Sequence, residues 1–172
     1  MWSAAGPDKI NYAIWRKCTC LLGILCDLLS RIETDYPKSW KKGDMIFIYK
    51  KGPVNNGNSF RTITLTSALS KIYTSILSEE IMKHLKENNY LAFSQKGFLP
   101  GVSGCLEHQF TLQEILKKVN KKSSCICVFS DIKAAYGSVN HEMVEAMLRH
   151  YHIPEKYTKI IMNMYRGLNV TI

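Results

Sequence analysis

The sequence contains no apolar run long enough to cross a membrane. Its longest one, "CTCLLGILCDLL" at residues 18–29, includes Asp27 and is bordered by Lys17 and Arg31. A helix that spans a bilayer needs about 20 consecutive apolar residues. The start of the sequence also lacks the basic, apolar and small-residue order of a secretory signal. We therefore expect no membrane segment and an intracellular location, nuclear or cytoplasmic, rather than secretion.

Zinc-type cysteine spacing is absent although the sequence has six cysteines. The two close pairs, Cys18-x-Cys20 and Cys125-x-Cys127, each have one intervening residue. Structural zinc sites leave a wider gap and need a second ligand pair. We expect reduced thiols and no structural zinc. In a strand, residues 125 and 127 would point to the same face, which favours buried, small apolar side chains.

Acidic residues are few. There are 14 Asp and Glu against 23 Lys and Arg, a formal charge of +9. This excess favours a polyanionic partner such as nucleic acid, although charge alone fits a solubilising surface equally well. The basic residues concentrate between Lys38 and Arg61, where Asp44 is the one acid and aromatic residues are interleaved. Such a strip suits a phosphate backbone with exposed bases, whereas rings at strand spacing are more commonly core.

Apolar residues recur at helical spacing in several segments. The first has Asp8 as its N-cap and runs through Leu29, before Pro37. Two more predicted helices span Ser67 to Glu87 and Cys105 to Val119. A further one begins at a cap, either Ser138 or Asn140, and ends at about Tyr151. The last runs from Pro154 to near Gly167.

Alternating, β-rich residues predict strands at Asp44–Lys50 and over "FRTITLT", joined as a hairpin with a long, mobile tip between Lys51 and Arg61. The continuous apolar run "SCICVFS" at residues 124–130 is typical of a central strand covered on both faces. "LNVTI" reads as a strand beginning at the last residues. We predict one α+β unit.

Asp131 follows the apolar run and precedes small residues and Tyr136. A carboxylate at a strand end lies at the rim of a sheet, where metal and phosphate sites are commonly built. Two-metal phosphoryl transfer, however, needs at least two carboxylates from different strands. The nearest acids, Glu142 and Glu145, fall on the following predicted helix. By spacing alone, Asp131 fits an ordinary strand-end or cap residue.

Five segments in order change this interpretation: "SAAGPDKINYAIWRKC", "WKKGDMIFIYKKG", "NSFRTITLTSALSKIYTSILSEEI", "SQKGFLPGVSGCLEH" and "FSDIKAAYGSVNH". Together they resemble the early blocks of reverse transcriptases of LINE-like, non-LTR retrotransposons. The resemblance implies a right-handed polymerase, helix-rich, with a fingers β-hairpin and an incomplete palm sheet. It places a fingers-like region at about residues 1–122 and the start of the palm at about 123–172.

The resemblance also implies roles for individual residues. Asp131 matches the first catalytic aspartate of the palm, a ligand of both Mg²⁺ ions, and Ile132 stands where such enzymes give a backbone carbonyl to the second ion. Tyr136 matches the aromatic steric gate that collides with a ribose 2′-hydroxyl. The alternative for Tyr136 is ordinary packing at a turn.

Two further groups of residues match nucleic-acid contacts. Lys50 or Lys51 and Arg61 match the fingers cations that grip the incoming triphosphate; a solvated hairpin face is the alternative. The block that lies along the template and incoming base pair is matched by Gln95, Lys96, Gly97 and Phe98, for which a plain loop turn is the alternative. Without a side chain at Gly97, the backbone can approach nucleic acid closely.

The match has departures. Thr62 stands where the family commonly has proline, and Gly137 where it commonly has an acid. The aromatic-Ala-Asp-Asp tetrapeptide that carries the partner carboxylates does not occur in these 172 residues. We therefore expect a fragment of an RNA-directed DNA polymerase, without later palm, thumb or endonuclease, that is inactive alone. The complete enzyme would use an RNA template, a DNA primer, deoxynucleoside triphosphates and Mg²⁺.

Two other hypotheses remain open. The first is a non-catalytic module that binds single-stranded or hybrid nucleic acid through the basic hairpin. The second is a structural partner completed in trans by another polypeptide. A central strand without neighbours exposes an apolar edge, so we also expect the isolated chain to be marginally stable or sticky.

Overall fold

A computed structural model describes residues 4–32, 35–119, 124–132 and 135–172. The chain divides into two compact units. The first comprises Met1–His84 and Asn140–Ile172, and the second comprises Leu85–Val139. The predicted boundary near residue 122 concerns the fingers and palm of a complete polymerase, and it stays a prediction.

The amino-terminal helical segment is broken in two. Helix α1 spans Tyr12–Lys17, and α2 spans Leu22–Ser30 after a 3₁₀ turn. The break lies at Cys18, whose ψ of 71° is not helical. Asn11, and not Asp8, caps α1, because its side-chain oxygen accepts a hydrogen bond from the N–H of Ala13 at 2.8 Å. The prediction of one continuous helix from Asp8 was therefore wrong, although its apolar residues are helical.

The sheet has three strands. Strands β1 (Lys42–Tyr49) and β2 (Phe60–Thr66) pair antiparallel, with Gly43 opposite Thr66 and Tyr49 opposite Phe60. Strand β3 (Asn169–Thr171) pairs with the other edge of β1, in parallel, with Lys42 opposite Asn169. The order is therefore β2-β1-β3. Both the predicted hairpin and the predicted terminal strand are confirmed.

The remaining helices follow the predicted periodicity closely. They are α3 (Ala68–Glu87), α4 (Gly104–Lys118), α5 (His141–His150) and α6 (Glu155–Tyr165). Of the two caps predicted for α5, Asn140 is the one used, since its side-chain oxygen accepts from the N–H of Glu142 at 2.8 Å. Pro154 immediately precedes α6. The coarse prediction of an α+β chain is confirmed. No helix within the described ranges is long and apolar enough to cross a membrane.

The hydrophobic core lies in the first unit. It is formed by Tyr36, Trp40, Leu77 and Ile160, which are at most 7% exposed. Tyr36 and Trp40 meet edge to face, with ring centroids 5.5 Å apart. Asn163 on α6 fixes the chain before β1, because its side-chain oxygen accepts from the Tyr36 N–H at 3.1 Å and from the Lys41 ammonium at 2.9 Å. These contacts join α6 to the segment that leads into the hairpin.

The predicted central strand at residues 124–130 is not present. The segment has no helix or strand, and Ile126, Val128 and Phe129 are all more than 80% exposed. A strand forms only when another strand supplies its hydrogen bonds, and no strand within the described residues pairs with this one. The expectation that Cys125 and Cys127 are buried was wrong for the same reason, since both are exposed.

Candidate functional site

The three hairpin cations lie together at the distal end of β1 and β2. Arg61 is directly opposite Ile48, and the Lys50 N–H donates to the Ser59 carbonyl at 2.7 Å, which extends the ladder beyond the strands. The side chains of Lys50, Lys51 and Arg61 are exposed, and none of them forms an ion pair within the described part of the chain. Three uncompensated positive charges therefore face solvent at one end of the sheet.

The tip between these cations is held by its own hydrogen bonds. The Tyr49 hydroxyl donates to the Gly52 carbonyl at 2.8 Å, and the Ser59 hydroxyl donates to the Pro53 carbonyl at 2.7 Å. Gly52 has a φ of +105°, and a Cβ there would stand 2.8 Å from the Ser59 hydroxyl oxygen, so this position requires glycine. The mobility of the tip stays a prediction. Because these hydrogen bonds hold the tip together, such motion would move the tip as a whole.

The aromatic rings of the basic strip do not all serve one purpose. Trp40 belongs to the core, whereas Phe47 and Tyr49 are about half exposed and pack edge to face against Phe60, with centroid distances of 6.5 and 5.7 Å. Successive residues of a strand point to opposite faces, so these rings lie on the face away from Arg61. The alternation of side chains between the two faces of a strand predicts this separation of Arg61 from the rings, whereas composition does not.

Lys96 is engaged within the second unit. Its ammonium lies 3.0 Å from the Glu107 carboxylate and 4.2 Å from the centre of the Phe93 ring, and its side chain is only 20% exposed. Its charge is therefore largely compensated by its own chain. Glu107, in the first turn of α4, is a partner that sequence reasoning missed, since nothing local couples positions 96 and 107.

Gly97 and Phe98 form the exposed part of the predicted template block. A Cβ at Gly97 would meet no atom closer than the Gln95 side-chain nitrogen at 3.9 Å, so packing within the chain does not require glycine here. Gly104 differs, because a Cβ there would collide with the Lys96 carbonyl. Phe98 is 87% exposed and has a φ of +60°, a conformation that is uncommon for a residue with a side chain. Gln95 donates to the Gly97 carbonyl at 3.0 Å.

Asp131, Ile132 and Tyr136 also belong to the second unit, and all three are exposed. Tyr136 lies in the turn at residues 135–138, where the Ser138 hydroxyl donates to the Ala135 carbonyl at 3.3 Å. The ring is 84% exposed, so the alternative of ordinary packing at the turn is not what the structure shows for Tyr136. Asp131 is not ion-paired within the described ranges.

The described residues do not make a complete metal site. No group of three or more His, Cys, Asp or Glu side chains within them could hold a metal ion. Asp131 supplies one carboxylate and Ile132 one backbone carbonyl, whereas two divalent ions about 4 Å apart need at least two carboxylates. A carboxylate and a carbonyl are oxygen ligands of the kind that Mg²⁺ prefers, but the described residues show no metal site. The expectation that the chain holds no structural zinc stays a prediction.

Comparison with known proteins gives a consistent family. The model of the family described as reverse transcriptase (RNA-dependent DNA polymerase) matches residues 48–171. A probable RNA-directed DNA polymerase from transposon BS of Drosophila melanogaster is 29% identical over 122 residues, which is 70% of this chain and 13% of that protein. The corresponding protein from transposon X-element of the same species is 22% identical over 90% of this chain and 17% of its own length.

A third relative comes from another insect. The retrovirus-related Pol polyprotein from type-1 retrotransposable element R2 of Nasonia vitripennis is 23% identical over 96% of this chain and 16% of that protein. The chain therefore spans less than a fifth of the length of each of these relatives.

Proposed function

Because the chain belongs to the reverse transcriptase (RNA-dependent DNA polymerase) family, we propose that it forms the fingers and the first part of the palm of an RNA-directed DNA polymerase of a non-LTR retrotransposon. The complete enzyme would copy an RNA template from a DNA primer with deoxynucleoside triphosphates and Mg²⁺. The observation that carries the proposal is the hairpin end with three exposed and unpaired cations in the family-matched region.

The hairpin is proposed to bind the phosphates of the incoming nucleotide. Arg61, on β2, offers two parallel N–H donors to a phosphate. Lys50 and Lys51, which directly follow β1, add two positive point charges. The hydrogen bonds of Tyr49 and Ser59 within the tip fix the backbone that carries these cations. A pre-ordered cation loses less freedom on binding, so a stiff tip favours phosphate recognition.

The second unit is proposed to supply the template and palm contacts. Gly97 and Phe98 would approach the template and the incoming base pair. Packing within the described chain does not require glycine at position 97, and the Phe98 side chain faces solvent. Gln95 orders this loop, and Lys96 would position it through Glu107 more than through a free charge. Tyr136 would act as the steric gate against a ribose 2′-hydroxyl.

Asp131 and the Ile132 carbonyl would hold Mg²⁺ together with carboxylates that the described residues do not provide. Bound ions would offset the charge of the triphosphate. Because the described residues present an incomplete ligand set, we expect the chain by itself to bind nucleic acid without catalysing synthesis. Template-dependent incorporation of deoxynucleotides by the pure chain, lost in Asp131→Asn, would contradict this expectation.

The binding test uses an RNA–DNA hybrid with a fluorescent label. Anisotropy titrations compare the chain with the triple variant Lys50→Ala, Lys51→Ala, Arg61→Ala. We expect at least about tenfold weaker binding and a salt dependence reduced by up to about three charges. Lys159→Ala is the matched control, because it removes an exposed cation from α6 in the same unit and should change the Kd little. An equal loss in the control would refute a specific role for the hairpin.

A non-catalytic nucleic-acid-binding module is the second candidate, favoured by the same unpaired cations and the incomplete carboxylate set. Both candidates predict salt-dependent binding that Asp131→Asn leaves unchanged. The two candidates differ in what they predict for the transcript beyond the codon of Ile172. A reading frame that continues into an Asp-Asp hairpin supports the polymerase, and Asp131→Asn in that longer protein should then abolish incorporation. A stop codon directly after Ile172 supports the binding module.

A further inference from the structure

Ser59 is buried in an otherwise exposed hairpin tip. It is 3% exposed, whereas every residue from 50 to 58 is exposed. A buried hydroxyl needs a hydrogen-bond partner, and the Ser59 hydroxyl donates to the Pro53 carbonyl at 2.7 Å. Its N–H donates to the Asn56 carbonyl at 2.9 Å, and its carbonyl accepts from the Lys50 N–H at 2.7 Å. Ser59 therefore connects the chain that enters the tip with two points inside it.

Gly52 packs against Ser59 across the tip. A Cβ at position 52 would stand 2.8 Å from the Ser59 hydroxyl oxygen, and the φ of +105° is one that residues with a side chain rarely adopt. The Gly52 carbonyl also accepts from the Tyr49 hydroxyl at 2.8 Å. Gly52 directly follows Lys51, and Ser59 lies two residues before Arg61. The contact between Gly52 and Ser59 therefore adjoins cations on both sides of the tip.

From this packing we propose that Gly52 and Ser59 are positioning residues for the hairpin cations. Their contact closes the tip in one conformation, which fixes the backbone of Lys51 in relation to that of Arg61. Neither residue brings a charge to the ligand, and the Ser59 side chain is too buried to touch it. The inference rests on the proposed binding of phosphate by the hairpin, and it assigns the uncharged residues on which those cations depend.

The physical reason is conformational entropy. Cations on a disordered loop must be ordered when they bind a phosphate, and this ordering costs binding free energy. The contact between Gly52 and Ser59 orders the backbone of the tip before the ligand arrives. A tip without this contact keeps all three cations but binds phosphate less tightly. Loss of affinity with unchanged charge is therefore the result that the proposal predicts.

Gly57 is the matched control within the same tip. A Cβ at position 57 would meet no atom within 4 Å, and the backbone there does not have a positive φ. Gly57→Ala and Gly52→Ala each add one methyl group to the tip and change no charge. A difference between them therefore reports the conformation at position 52 and its contact with Ser59, rather than the loss of a glycine.

Binding of the labelled RNA–DNA hybrid is the first test. Gly52→Ala should weaken binding at least about fivefold, because the tip cannot keep its conformation with a side chain at that φ. Ser59→Ala is the milder change and should weaken binding about two- to fivefold, since it removes one hydrogen bond from the tip. Gly57→Ala should stay within about twofold of the unchanged chain. Full affinity in both Gly52→Ala and Ser59→Ala would overturn the positioning role.

A combined variant separates positioning from general damage to the fold. Gly52→Ala is added to the triple variant Lys50→Ala, Lys51→Ala, Arg61→Ala. It should cause no further loss of hybrid binding, because the cations that it would displace are already gone. A further loss as large as the one in the unchanged chain would assign Gly52 a purely structural role and refute the proposal.

Hydrogen exchange followed by mass spectrometry reads the order of the tip directly. The Lys50 N–H is bonded to the Ser59 carbonyl, and the Asn56 N–H is bonded to the Pro53 carbonyl at 3.1 Å. Both amides should exchange faster in Ser59→Ala than in the unchanged chain, whereas Gly57→Ala should leave them protected. Equal protection of these amides in Ser59→Ala and in the unchanged chain would contradict the proposal.

The outcomes distinguish this inference from the proposed function. If the triple cation variant binds the hybrid as tightly as the unchanged chain, the hairpin does not bind phosphate and both proposals fail. If the triple variant loses binding while Gly52→Ala and Ser59→Ala keep it, only the positioning role fails. Losses in all three, with Gly57→Ala unaffected, support both.

Discussion

The two compact units differ in how they are held together. The first unit contains every buried residue of the described chain, among them Tyr36, Trp40 and Ile160, and all three strands. The second unit has α4 and its loops, and none of its described residues is fully buried. Its described contacts include the ion pair of Lys96 with Glu107.

This difference bears on function. The hairpin cations are carried by two paired strands of the first unit, whereas Asp131, Ile132 and Tyr136 lie on exposed segments of the second. Precise chemistry requires groups whose positions are fixed by packing. The hairpin that is proposed to bind phosphate therefore has its backbone fixed by strand pairing, whereas Asp131, the proposed metal ligand, lies in a segment without helix or strand.

The largest expected effect comes from matched isoleucines in the two units. Ile160 is 1% exposed and Ile126 is 89% exposed. Ile160→Ala should lower the free energy of unfolding by about 2–5 kcal/mol, because it removes buried methylene groups and leaves a cavity. Ile126→Ala should change it by less than about 0.5 kcal/mol. Urea unfolding followed by far-ultraviolet circular dichroism, to which helices of both units contribute, measures both variants. Similar losses would erase the distinction between the units.

A smaller effect is expected from matched amides. Asn163→Ala leaves the Tyr36 N–H without its acceptor and frees the Lys41 ammonium, which should cost about 1–3 kcal/mol of unfolding free energy. Gln95→Ala removes an exposed hydrogen bond to the Gly97 carbonyl and should cost less than about 0.5 kcal/mol. The same urea titration provides the comparison. An equal cost for Gln95→Ala would show that the second unit is stabilised as specifically as the first.

The smallest effect concerns alkaline pH. Burial raises the pKa of Tyr36 above 10.0, and the hydrogen bond with Ser70 partly offsets this. Burial, followed by repulsion from Tyr36 and Tyr157, raises the pKa of Tyr73 as well. The folded state therefore holds these protons more tightly than the unfolded state. This stabilisation is complete below pH 10 and is lost as the pH rises through the folded pKa values.

Unfolding midpoints measured from pH 9 upward test this pH dependence. Tyr36→Phe should flatten the alkaline decline in stability, because the residue that replaces Tyr36 cannot ionise. Tyr136→Phe is the control for deleting an exposed hydroxyl, since that ring is 84% exposed. A decline that is as steep in Tyr36→Phe as in the unchanged chain would show that other groups control alkaline unfolding.

Local features of the fold could be read from the sequence because their causes are local. The period of α3, the Asn140 cap of α5 and the alternation of β1 and β2 depend on residues close in the chain. The prediction of a strand at residues 124–130 was wrong because apolar residues that favour β-structure still need a partner strand. The parallel pairing of β1 with β3 also could not be foreseen, since no short-range pattern links Lys42 with Asn169.

The site residues were predicted from the ordered blocks and stay predictions, and their geometry could not be foreseen. The basic strip gave Lys50, Lys51 and Arg61, but the ion pair that engages Lys96 and the separation of Arg61 from the rings follow from register and tertiary contact. The spacing of Cys125 and Cys127 predicted burial on one face of a strand, whereas the structure shows both residues exposed.

The parallel pairing of β3 with β1 has a consequence for synthesis of the chain. The residues of β1 emerge from the ribosome about 125 residues before their partners at Asn169–Thr171. At a translation rate of about 5–20 residues per second, the second edge of β1 waits roughly 6–25 seconds without its partner strand. During that interval a nascent β1 can accept any strand that reaches it first. The order of translation therefore leaves the second edge of β1 open to mispairing until β3 has been made.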